Sequence, residues 1–142
     1  AVSRGLGDVY KRQGTHTPRW NVEHMAGREL LYFSRIYSNV DPVIPEMDHN
    51  PAQMPPDYVA AHPDWTGAEE ARRIERVQAF TRRFSYLLAD LPLDELPEGA
   101  PGFARTLQGL FEIMAWHWPE HTGNTIEKFS LPDWPEAESE GD

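Results

Sequence analysis

Apolar residues recur at helical spacing in three stretches of the chain, and no stretch shows strand-like alternation. The cleanest stripe is Ile74, Val77, Phe80/Thr81, Phe84, Leu87/Leu88 and Leu91, with arginines on the outer face. Thr66-Gly-Ala-Glu69 ahead of it has the form of a capping box, so a helix is predicted from Thr66 to about Asp90. It reads as a structural helix without chemistry. A second stripe, Leu107, Leu110, Phe111 and Met114, continues into His117, Trp118 and His121, and predicts a helix from about 103–106 to about Phe129. A third helix is predicted from Trp20 to about Ser38, with Thr17-Pro18 as its start. Val22, Met25, Glu29, Phe33 and Ile36 lie on one side of it, and Trp20, His24, Gly27 and Leu31 on another. A helix apolar on more than one side belongs between neighbours.

Between the first two of these helices in chain order, residues 39–65 carry Pro42, Pro45, Pro51, Pro55, Pro56 and Pro63, which excludes a long helix or a central strand. Met47, Met54, Tyr58, Val59 and Trp65 give this stretch enough apolar material to pack, so it is expected to be an ordered crossover lying over the bundle. Residues 92–102 form a second connection, rich in proline and glycine. Leu131 and Trp134 are expected to fold back on the bundle, and the acidic end 136–142 to be disordered. Residues 1–13 match no periodicity, resemble a translated sequencing-adapter stretch and are read as a non-native leader. The domain is then expected to occupy residues 14–135.

Composition narrows the function. A formal charge of -10 argues against a phosphate-backbone partner. The cluster Arg72, Arg73, Arg76, Arg82 and Arg83 is interleaved with Glu69, Glu70 and Glu75 and reads as a solvated helix face. No run is apolar and long enough for a membrane span. With no cysteine, any metal site must use His, Asp or Glu.

His117 and His121 stand one turn apart, and both continue the inward stripe. Interior imidazoles need a hydrogen-bond partner or a metal. The HxxxH spacing alone is a weak motif; His24, on the helix that is apolar nearly all round, offers a third ligand. Three histidines with open positions describe a catalytic rather than a closed structural metal site. Pro119 interrupts the pair and must either kink the helix or mark a new start. Glu23 and Glu120 flank the ligands as acceptors for them or as ordinary exposed helix carboxylates. His49 and His62 fall in the proline-rich stretch and read as exposed, with His49 a weak candidate for the pocket.

Thr17-Pro-Arg-Trp20-Asn-Val-Glu-His24-Met-Ala-Gly resembles the W-x-x-x-H opening of the second helix in DinB-like proteins, nearest the branch of ergothioneine-synthesis N-terminal domains. His117-Trp-Pro-Glu-His121-Thr resembles the late HxxxH of that family. The resemblance covers about residues 15–130 and implies an all-α four-helix bundle, here three long helices and a long proline-rich crossover without the first helix. It implies metal ligands at His24, His117 and His121, and a divalent transition ion (zinc, nickel, iron or manganese). The activity implied is that of a thiol-dependent S-transferase or a hydrolase acting on a small molecule. Since the chain has no cysteine, the thiol would be a low-molecular-weight cofactor. The alternative is a non-catalytic, stress-associated binding domain on the same bundle. A groove left by the first helix would favour a homodimer.

Overall fold

The computed structural model describes residues 17–128. The predicted leader, the acidic tail and Leu131 and Trp134 lie outside them. Among the described residues the fold is all-helical, with three long helices and no strand. Helix α1 spans Pro18–Val40, α2 Gly67–Arg83 and α3 Leu107–Lys128. None is long and apolar enough to cross a membrane.

The Thr17 hydroxyl accepts from the Trp20 N–H at 3.1 Å, and Pro18 occupies the first turn, where its missing N–H costs nothing. Helix α1 packs against both other helices, as its two apolar faces require. At its C-terminal end Phe33, Ile36 and Tyr37 join Ile44, Leu110 and Met114 in the main core. The Tyr37 hydroxyl, fully buried, donates to the Thr81 carbonyl at 2.7 Å. A second core joins Ala26 and Leu30 of α1 to Val77 of α2.

The capping box at Thr66 and Glu69 is present in both directions. Helix α2 ends earlier than predicted: after Arg83 the chain tightens into a 3₁₀ turn over Ser85–Leu88. The Ser85 hydroxyl takes the Arg82 carbonyl at 2.7 Å and competes with continued helix there. Phe84, Leu87, Leu88 and Leu91 still pack on the main core. Spacings of three and four residues suit an α-helix and a 3₁₀ turn alike, which is why the stripe overstated the helix.

Helix α3 starts at Leu107, after a 3₁₀ turn over Gly102–Ala104. Its first N–H groups are met by the preceding connection: Leu107 donates to the Glu95 carbonyl at 2.7 Å and Gln108 to the Leu93 carbonyl at 3.0 Å. The helix runs unbroken through Pro119. Pro119 and Ala115 both face solvent, so water can take the Ala115 carbonyl that the proline cannot serve.

The crossover is ordered along its length. Ile44 enters the main core and the Met47 N–H donates to the Ser34 hydroxyl at 2.9 Å. The Trp20 indole donates to the Gln53 carbonyl at 2.9 Å. Arg19 reaches the carbonyls of His62 and Trp65 at 2.6 and 2.7 Å. The first turns of α1 therefore hold the far end of the crossover in place.

Candidate metal centre

His24 comes from the second turn of α1, and His117 and His121 from successive turns of α3. The packing of α1 on α3 brings the three imidazoles together. Ring centroids lie 5.0 Å apart for His24–His117, 4.7 Å for His24–His121 and 4.6 Å for His117–His121. Each can offer one nitrogen such that all three lie within 4.8 Å of one another. Nitrogens bound tetrahedrally to one ion at about 2.0–2.1 Å lie about 3.4 Å apart, so holding an ion draws the rings inward.

Two features orient these rings. Trp20 stacks on His24, with centroids 4.4 Å apart and planes 13° from parallel. His121 Nδ1 lies 2.6 Å from Asn21 Oδ1, while Asn21 Nδ2 donates to the Thr17 carbonyl at 3.0 Å. The second bond settles which end of the amide is oxygen. Asn21 is thus an acceptor, the His121 proton sits on Nδ1, and the lone pair of that ring sits on Nε2.

The electrostatics favour neutral imidazoles. Burial, then His121, His117 and Arg28, push His24 down to about 3. Burial, then His121 and Arg28, push His117 down to about 4. The Nδ1 atoms of His24 and His117 are buried without a hydrogen-bond partner. Neutral rings with buried, unsatisfied nitrogens are a donor set that fits a divalent transition ion. Beside them the Trp118 indole donates to Glu29 Oε1 at 3.0 Å, and the Thr81 hydroxyl donates to Glu29 Oε2 at 3.0 Å. This carboxylate ties α3, α1 and α2 together next to the imidazoles.

The flanking residues fall differently. Glu120 is half-buried and does not converge with the imidazoles. His49 is exposed and lines a groove with Met47, His62 and Arg73 instead of the three-histidine cluster. Glu23 is neither an acceptor for His24 nor an exposed helix carboxylate. Only 1% exposed, it accepts the N–H groups of Ala61 and His62 at 2.8 and 3.0 Å. His62 is half-buried rather than exposed, and with Glu23 and Glu70 forms a second group whose ligand atoms lie within 4.8 Å of one another.

The sequence pattern hides that second cluster, because Glu70 stands among the charges of the outer face of α2. The signal was present: Glu70 precedes Ile74 by one turn and Val77 by two, so it extends the buried stripe toward the N-terminus. Asn21 was missed as well, three residues before His24 on the same helix face. No family model matches the chain, and comparison with curated proteins and with solved structures returns no match.

Proposed function

We propose that this protein is a DinB-like metal-dependent enzyme whose divalent transition ion is held by His24, His117 and His121. The reaction class is thiol-dependent S-transfer or hydrolysis of a small molecule. The observation that carries the reading is the convergence of three imidazoles from two helices, two of them kept neutral by burial and with buried, unpartnered Nδ1 atoms. Such an ion, when bound, lowers the pKa of a water or thiol or polarises a carbonyl. The chain's own groups prepare the place for it. Burial keeps His24 and His117 unprotonated at neutral pH, so no proton has to leave these rings before they bind. Trp20 fixes the His24 plane, and Asn21 keeps the His121 proton on Nδ1. A thiol substrate or cofactor must be a separate small molecule, because the protein has no cysteine.

The test is metal content followed by turnover. Protein loaded in turn with zinc, nickel, iron(II) or manganese(II) is expected to hold an equivalent at these histidines that His117→Ala removes. Thiol addition to an electrophile, or amide cleavage, is expected to depend on that same equivalent. Metal binding by wild type and His117→Ala in equal amount would overturn the reading. Binding without turnover of either substrate class would assign the bundle to ligand binding rather than catalysis.

A further inference from the structure

Glu23 and Glu70 are buried carboxylates, 1% and 5% exposed, on facing turns of α1 and α2. His62, from the end of the crossover, completes the group. Its Nδ1 lies 3.5 Å from Glu23 Oε1 and 3.9 Å from Glu70 Oε1. Donor atoms gathered around one small ion at about 2.0–2.2 Å stand about 3.4 Å apart, close to these separations.

The group is held rigidly from outside. Both oxygens of Glu23 are fixed by the backbone N–H groups of Ala61 and His62. Arg19 binds Glu70 Oε1 at 3.1 Å and also holds the carbonyls of His62 and Trp65. The His62 ring is stacked on Trp65, with centroids 3.5 Å apart and planes 6° from parallel. Within this frame Glu70 Oε2 and His62 Nδ1 are buried with no hydrogen-bond partner. A buried carboxylate oxygen without a donor is costly, and two carboxylates side by side add repulsion.

We propose that Glu23, His62 and Glu70 form a second metal site, separate from the three-histidine centre, that takes a zinc-like transition ion and locks the end of the crossover onto α1 and α2. Arg19 and Arg73 lie near enough to offset much of the carboxylate charge. The ion's affinity must therefore come from coordinate bonds, which selects an imidazole-binding transition metal over magnesium or calcium. Glu23 sits beside His24 in the chain but points to the α2 side of the helix, so the two sites share a helix and no ligand.

The test is zinc stoichiometry on the full chain, with helicity checked by circular dichroism. Wild type is expected to bind two zinc ions. His117→Ala and His62→Ala are each expected to bind one, and the double variant none. Glu70→Gln, which keeps the size of the side chain, is expected to behave as His62→Ala does. Magnesium at equal concentration is expected to displace neither ion. Zinc binding that is the same in wild type, His62→Ala and Glu70→Gln overturns the proposal. Loss of zinc by His62→Ala, with His117→Ala unchanged, supports this site and removes the three-histidine reading instead.

Discussion

Asn21 decides which nitrogen of His121 carries the proton, because its own amide is fixed by the Thr17 carbonyl. Asn21→Ala is expected to weaken binding at the three-histidine centre about 10–100-fold, the usual cost of losing the partner that orients a ligating histidine. Asn21→Asp keeps an acceptor at that place and is expected to bind within a few-fold of wild type. Zinc titration of both variants in a His62→Ala background reads this directly; unchanged affinity in Asn21→Ala would remove His121 from the ligand set. The three histidines were legible because each lies on an apolar helix face, where an imidazole stands out. Asn21, Glu23 and Glu70 lie on the same kind of face. They were passed over because Asn and Glu are ordinary on a helix surface, and only the position of Glu70 on the α2 stripe marks it as buried.

The long helices were legible as elements because each carries an apolar stripe longer than any loop could sustain. What the stripe does not contain is the point where an α-helix tightens, or whether a proline ends it. Helix α2 stops at Arg83 although its stripe continues, and α3 runs through Pro119 on its exposed side. The connections hide their partners more completely, since backbone carbonyls and N–H groups leave no mark in a sequence. Residue 99 is an exception. Gly99 has φ +90°, and a Cβ there would stand 2.7 Å from the Arg35 carbonyl oxygen and the Asn39 amide nitrogen of α1. Gly99→Ala therefore meets both an unfavourable backbone angle and a backbone neighbour that cannot move aside. It is expected to cost about 1–3 kcal/mol. Urea unfolding would show this as a lower midpoint at unchanged slope; an unchanged midpoint would mean the connection is not seated on α1 in solution.

Across the whole molecule the buried titratable groups set how stability follows pH, and they pull in opposite directions. His24 and His117 titrate at about 3 and 4 in the fold, against 6.5 when unfolded. The unfolded chain thus binds more protons in between, so their contribution is full above 6.5 and is lost as pH falls toward the folded values. Glu70 has the reverse sign. Raised from 4.5 to about 7, it holds a proton in the fold that the unfolded chain releases, so its contribution is full below 4.5 and is lost as pH rises through 7. Between 4.5 and 6.5 these two histidines, with His62 lowered in the same direction, oppose one carboxyl. Chelator-treated protein is therefore expected to lose stability with falling pH at a slope of one net proton or more, about 1.4 kcal/mol per pH unit for each. Glu70→Gln removes the opposing group and is expected to steepen this loss by about one further proton, whatever the variant does to absolute stability. Urea unfolding at half-unit steps from pH 7 to 4.5 measures both slopes. Equal slopes would mean that Glu70 is already ionised in the fold, its charge met by Arg19 rather than by a proton. Saturating zinc is expected to steepen the wild-type slope as well, because the ion binds only deprotonated donors and protons displace it as pH falls.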